Sequence, residues 1–334
     1  MIISRTPFRI SLFGGGSDYP TWYRENGGSV LGMAIDKYCR ISVRTLPPFF
    51  EHKHRIVYSR IELAKTVDDI VHPAVRAVLS QYPPDHGIEI HHDGDLPARS
   101  GLGSSSSFTT GLLNALFALQ GKMITKRKLA EETIRIEQEV IAESVGSQDQ
   151  IWAAYGGLAR INFNRDGRFD VKPIVIPDGK RQELESALLL FFTGVSRYAS
   201  DIAKEKIANL DSRANQLKTM AQMVDEAEAI LTNPARPLTE MGKLLHEGWR
   251  LKRELADSIS NSHIDEIYEA ARSAGAVGGK LLGAGGGGFM AFYAEPSKRQ
   301  AVIDKLSRLI HVPVGVGAAG SRIIIYEPNG HTED

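Results

Sequence analysis

The chain has one cysteine, Cys39, in 334 residues, which excludes an intramolecular disulfide and fits a reducing compartment. It has no surplus of charge either, since 40 Lys and Arg face 40 Asp and Glu. No bulk attraction draws it to nucleic acid or an anionic membrane, so any anion it binds must be held locally. Long hydrophobic runs are also missing. The longest strongly apolar run, Ala187–Phe192, is far shorter than the roughly 20 residues of a membrane helix, and Met1–Arg5 has no apolar leader core. A cytoplasmic protein is expected. The Gly-Lys pairs beginning at Gly121, Gly179, Gly242 and Gly279 are followed by Met, Arg, Leu and Leu, so the Walker phosphate loop is excluded. The His-Arg-Asp and Asp-Phe-Gly signatures of protein kinases are absent as well.

What is present is an ordinary globular composition, 42% hydrophobic and 24% charged. A single core stops growing at roughly 250 to 300 residues, so two domains are expected, 1–170 and 171–334, divided near the turn cluster Asn164–Arg168. Short β-rich runs predict strands at Ile10–Phe13, Arg40–Leu46, Ile56–Tyr58 and Ile88–Ile90, and a helix is expected over Pro73–Gln81. Apolar stripes predict helices over Ser104–Leu119 and Lys126–Glu143. Further on, helices are expected over Ser200–Leu231, Leu238–Ala256, Ile264–Ala274 and Lys298–Ile310, with strands at Ala187–Thr193, Phe289–Tyr293 and Arg322–Tyr326. The fold class is α+β.

The strongest chemical signal is the run Pro97-Ala98-Arg99-Ser100-Gly101-Leu102-Gly103-Ser104-Ser105-Ser106-Ser107, directly ahead of a helix. Gly101 and Gly103 let the backbone approach a ligand closely, and the helix start offers unpaired N–H groups to an anion. This describes a phosphate cradle. The serine hydroxyls could cap the helix, bind phosphate oxygens or reach a magnesium ion. A second glycine-rich run, Gly283–Gly288, also fits Gly-x-Gly-x-x-Gly. A dinucleotide fingerprint needs a strand before it and a helix after it, whereas here a helical stretch is expected before it and a strand after it. A glycine bulge needed only for packing is the plainer alternative.

These two runs, with Arg5-Thr6-Pro7-Phe8-Arg9-Ile10-Ser11-Leu12-Phe13-Gly14-Gly15-Gly16-Ser17-Asp18-Tyr19, resemble in order the three motifs of the GHMP kinases. The resemblance covers nearly the whole chain. It implies a two-domain fold, ribosomal-protein-S5-domain-2-like then ferredoxin-like, that binds ATP and Mg2+ and phosphorylates a small-molecule alcohol. It implies nucleotide contacts from Pro97, Arg99, Ser100, Gly101, Leu102, Gly103, Ser104, Ser105 and Ser106. Asp149, in Gly146-Ser147-Gln148-Asp149-Gln150, matches the catalytic aspartate of galactokinase-like members, and Arg9 their basic residue near the transferred phosphoryl group. An N-cap for Ile151–Tyr155 is the ordinary alternative for Asp149. Glu137 looks like the metal-binding glutamate, partnered by Ser104 or Ser105. Glu139 points to another side of the helix, so at most one of the two faces the metal.

For the acceptor, Asp18 with Gly15, Gly16 and Ser17 stands where the family holds substrate hydroxyls, and a carboxylate accepts two such bonds well. A sugar or sugar phosphate is therefore expected. The galactokinase form of this motif has Glu and His where this chain has Gly15 and Gly16, which argues against galactose. The motifs most resemble the branch that phosphorylates an anomeric hydroxyl on a sugar already carrying a phosphate. A fucokinase-like branch acting on a free deoxysugar is the other reading. Arg197 or Lys280 could anchor the substrate phosphate, Lys280 could instead reach the nucleotide, and Gly285 and Gly286 close beside the substrate. A non-catalytic sugar or nucleotide sensor and an NAD-linked oxidoreductase are the competing classes, and a homo-oligomer is left open.

Overall fold

The structure is a computed structural model that describes residues 1–194, 199–210 and 212–328. The first half runs β1 (Ile2–Phe13), α1 (Pro20–Asn26), β2 (Gly28–Thr45), β3 (His54–Val57), β4 (Ile61–Ala64), α2 (Pro73–Gln81) and β5 (Ile88–Gly94). Next come α3 (Ser104–Leu119), α4 (Lys126–Arg135), a π-helical turn (Ile136–Val140), α5 (Gln148–Tyr155), β6 (Leu158–Phe163) and β7 (Phe169–Pro173). The second half continues with α6 (Asp178–Ala187), β8 (Leu188–Phe192), α7 (Ala199–Ala208), α8 (Ala214–Thr232), α9 (Thr239–Arg253) and α10 (Ser262–Ser273). It ends with β9 (Ala276–Leu281), β10 (Phe289–Ala294), α11 (Pro296–Lys305), β11 (Ile310–Val312) and β12 (Arg322–Tyr326).

Among the described residues the strands form an eight-stranded and a four-stranded sheet. In the first, β2 is long enough to pair twice on one side: Gly28–Met33 with β6 and Cys39–Thr45 with β5. On its other side β1 runs antiparallel along most of its length. The second sheet has the order β11-β8-β10-β9, all antiparallel. The chain leaves the first sheet only after β7, which pairs with β6, and returns with β12, which pairs with β1. A division at residues 170 and 171 therefore cuts β7 and puts β12 in the wrong body, because the open edge of β1 takes its last partner from the far end of the chain.

The α3 stripe lies over β1 and β2 with Phe108, Leu112 and Leu116 buried. Burying each of these side chains contributes about 1.5–3 kcal/mol. The helix comes close because residue 111 is glycine: a Cβ there would stand 2.9 Å from Thr6 Oγ1. The expected single helix over Lys126–Glu143 instead passes into the π-helical turn and stops at Val140. The expected helix from Ser200 is two, α7 and α8. The helical stretch expected before Gly283 includes a strand, β9, immediately ahead of the glycines. Two glycines lower its intrinsic strand propensity, but packing requires them, since a Cβ on Gly278 would lie 1.9 Å from Gly242 O on α9. The second glycine run is thus the turn between antiparallel strands, which still excludes the dinucleotide fingerprint, where a helix must follow.

Candidate active site

A cavity of about 440 Å3 is walled by both halves of the chain. Its first wall is the loop before α3. Gly101 and Gly103 have φ of 84° and 75°, a left-handed backbone that costs other residues about 1–2 kcal/mol. Gly103 ends the loop without any side-chain cap on α3, so the first N–H groups of the helix are left for another acceptor. Ser104 and Ser105 line the cavity beside them.

Across from this loop stand Arg9, from β1, and Asp149, from the first turn of α5. Arg9 Nε donates to Asp149 Oδ1 at 2.7 Å and Nη2 to Oδ2 at 2.6 Å, while Nη1 donates to Gly101 O at 2.6 Å. The guanidinium therefore ties the carboxylate to the glycine loop in a fixed plane. A Cβ on Gly103 would sit 3.3 Å from both Arg9 Cγ and Asp149 Oδ2, so glycine is what allows this approach. Asp149 is not a helix cap, since Ser147 holds that position and its side chain makes no cap bond.

Asp18 closes the other side. Gly16 N donates to its Oδ1 and Gln148 Nε2 to its Oδ2, each at 2.8 Å. Residue 146 must be glycine, because a Cβ there would lie 1.9 Å from Asp18 Oδ2. Tyr19 lines the wall next to it, its phenol pushed well above the usual range by burial and by the charges of Asp18 and Asp149. From the second half come Lys204, Lys252, Lys280, Gly283 and Ala284. Lys252 Nζ is held at 2.7 Å by the carbonyls of Leu281 and Gly283, and Lys280 Nζ at 2.7 Å by that of Leu12. Among the described residues the walls carry five cationic side chains against three carboxylates. An anion finds its local attraction here although the chain as a whole is neutral.

Residues 69–157 match the family described as the GHMP kinases N terminal domain, and residues 227–311 match the GHMP kinases C terminal domain. Together the two matches span just over half of the chain. This chain belongs to the GHMP kinase family. It is 28% identical over 319 residues to D-glycero-alpha-D-manno-heptose 7-phosphate kinase of Campylobacter jejuni, covering 92% of this chain and 93% of that protein. It is 27% identical to the bifunctional fucokinase/GDP-fucose pyrophosphorylase of Arabidopsis thaliana over 88% of this chain but 30% of that protein. A crystal structure of a D-glycero-D-manno-heptose 1-phosphate kinase from Bacteroides thetaiotaomicron shares the fold with a TM-score of 0.79, at 22% identity, covering 98% of this chain and 100% of that one. As a GHMP kinase the chain is an ATP-dependent enzyme with the expected two-domain α and β fold.

The cavity brings together most of the residues expected from sequence. Arg9, Gly15, Asp18, Arg99, Gly101, Gly103, Ser104, Ser105, Asp149 and Lys280 all line the cavity. Others act one layer back: Pro97 O accepts from Ser100 Oγ at 2.7 Å, Leu102 O accepts from Arg9 N at 3.0 Å, and Ser17 Oγ donates to Gly14 O and Ser29 O. Gly285 and Gly286 are not in the wall. A Cβ on Gly285 would meet Ile259 Cα at 2.7 Å, and Gly286 N donates to Ile259 O at 2.9 Å, so they anchor the loop on the turn before α10. Arg197 lies outside the described residues.

Glu137 is buried and Glu139 exposed. The serine bonded to Glu137 is Ser106, at 2.8 Å to Oε2, joined by Gln150 Nε2 at 2.6 Å. Ser104 Oγ instead accepts from Arg99 N at 3.0 Å. Burial pushes the Glu137 carboxyl up to about 7, against the pull of these two donors. Among the described residues its Oε1 has no hydrogen-bond partner, and Glu137 lies outside the cavity wall. Sequence reading missed Ser11, Tyr19, Glu143, Lys204 and Lys252. Nothing marks Lys252 among the other basic residues of α9, and only the packing of α9 on β9 turns it inward.

Proposed function

We propose that the chain is a sugar kinase that transfers the γ-phosphoryl group of ATP to the anomeric hydroxyl of D-glycero-D-manno-heptose 7-phosphate. The product is the 1,7-bisphosphate, which GDP-heptose synthesis for a bacterial surface polysaccharide would consume. The observation that carries this reading is the Arg9–Asp149 pair, fixed between a glycine-serine anion cradle and the buried Asp18. The level of identity to the Campylobacter jejuni enzyme over almost the full length of both chains supports the choice of sugar.

In this reading the helix-start N–H groups of α3, with Gly101 and Gly103, hold the phosphate oxygens, and Lys252 adds charge from the other domain. Asp18 orients the sugar through its hydroxyls. Asp149 takes the proton of the attacking hydroxyl as the new P–O bond forms and the bond to ADP breaks, while Arg9 keeps the carboxylate aimed and faces the charge on the moving group. The bare Oε1 of buried Glu137 and the hydroxyls of Ser104, Ser105 and Ser106 suit a hard, oxygen-seeking ion. Magnesium held by Glu137 and a loop serine would neutralise phosphate charge there.

The test is ADP release from magnesium ATP with heptose 7-phosphate, L-fucose and galactose in turn. Turnover with the heptose phosphate is expected. Turnover with fucose alone would move the chain to the free-sugar branch, and ATP binding without turnover on any sugar would leave the sensor reading.

A further inference from the structure

Glu143 is a carboxylate in the cavity wall with no part in the steps above. It follows the π-helical turn and Ala142, whose backbone is left-handed at φ 60°. That conformation costs an alanine about 1–2 kcal/mol, and both π turns and such strain gather at functional sites. Glu143 N donates to Glu137 O at 2.9 Å and Val145 N to Glu143 O at 3.0 Å, which hold the turn in place. It delivers the Glu143 side chain to the same wall as Arg99, Ser104 and Ser105. Its charge reaches both Arg99 and the carboxylate of Glu137.

A carboxylate beside a triphosphate cradle is repelled by the ligand unless a cation lies between them. Arg99 supplies one charge there. Glu137, 1% exposed, stands behind this wall, bonded through Oε2 to Ser106 of the same helix start, and among the described residues its Oε1 has no partner. Two carboxylates and the loop hydroxyls make a donor set that a magnesium ion takes together with phosphate and water. We propose that Glu143 is a second carboxylate of the cation site, sharing the ion with Glu137 when nucleotide is bound. The proposal rests on the metal reading of Glu137 given above.

Mn2+ titration, read by loss of the free-ion paramagnetic resonance signal with a non-hydrolysable ATP analogue present, tests it without turnover. Glu143→Gln is expected to weaken Mn2+ about 10- to 100-fold, and Glu143→Asp, which keeps the charge, by less. Analogue binding in EDTA should be unchanged or tighter in Glu143→Gln, because a repelling charge is gone. If Glu143→Gln leaves Mn2+ affinity intact while Glu137→Gln lowers it, the proposal fails and the Glu137 site stands. If neither variant changes Mn2+ affinity, the Glu137 reading falls and this one with it. If Glu143→Gln instead mirrors Arg99→Ala, weakening the metal-free analogue with Mn2+ affinity intact, Glu143 is a tether for Arg99 and the proposal is overturned. A retained thermal transition in each variant separates these outcomes from misfolding.

Discussion

The loop of residues 100–103 and the loop of residues 282–288 are both rich in glycine and press against each other. A Cβ on Gly101 would lie 2.6 Å from Leu282 O, and one on Gly288 2.3 Å from Ser100 O. Phe289 N, at the start of β10, donates to Ser100 O at 3.0 Å, so the strand that follows the second loop hydrogen-bonds to the first. Yet the first puts Gly101 and Gly103 in the cavity, followed there by Ser104 and Ser105 of α3, and the second only Gly283 and Ala284. In the first loop Gly101 also serves this contact between the loops, but Gly103 allows the Arg9–Asp149 pair to approach the backbone. In the second, glycine mostly allows two domains to meet. Two stretches that look alike in composition therefore differ in what a substitution should damage.

The largest effect is expected at the carboxylate beside the first loop. Asp149→Asn should lower kcat by about 100- to 10,000-fold with nearly unchanged binding of a non-hydrolysable ATP analogue by calorimetry. Unchanged turnover would remove the base from this side of the comparison. Next, Gly103→Ala should cost about 10- to 100-fold in kcat, because a Cβ there displaces Arg9 and Asp149. Gly285→Ala should instead lower stability by about 1–3 kcal/mol through its clash with Ile259, with turnover of the folded fraction within about twofold. Thermal melts and steady-state rates on both variants would break the contrast if the two losses were interchanged.

A smaller difference separates the serines. Ser106→Ala removes a donor from a buried carboxylate and should cost about 1–3 kcal/mol, whereas Ser104→Ala should fall within about 0.5 kcal/mol in a denaturant titration. The smallest effect is on pH dependence. The Glu137 carboxyl titrates higher folded, at about 7, than its ordinary value of 4.5. The folded state therefore binds more protons between those values, and this group's contribution to stability is full below 4.5 and lost as pH rises through 7. Glu137→Gln should flatten that part of the stability profile between pH 5 and 7.5, and an unaltered slope would show that the carboxyl is not desolvated.

Legibility followed the range of the interaction that sets each feature. Pro73–Gln81 and Ser104–Leu119 begin and end where helices were expected, and for the second the local apolar spacing is enough to define it. The β9 strand was hidden because its glycines answer to α9, not to their neighbours in sequence. In the site, Arg9 and Asp149 stood out because their motifs are local. Lys252 and Glu143 did not, since one depends on the packing of a distant helix and the other on a strained turn.

From sequence alone, the three motifs in their order carried the resemblance to the GHMP kinases, which the family matches bear out, and the even balance of charge required any bound anion to be held locally. These are matters of composition and of short runs, which the chain carries however it is folded. Tertiary structure decided the rest: that Arg9 and Asp149, 140 residues apart, share two hydrogen bonds, that Ser106 and not Ser104 holds Glu137, and that β12 closes the first sheet. Each of these depends on distances between remote segments, which only the packed core and the paired strands determine.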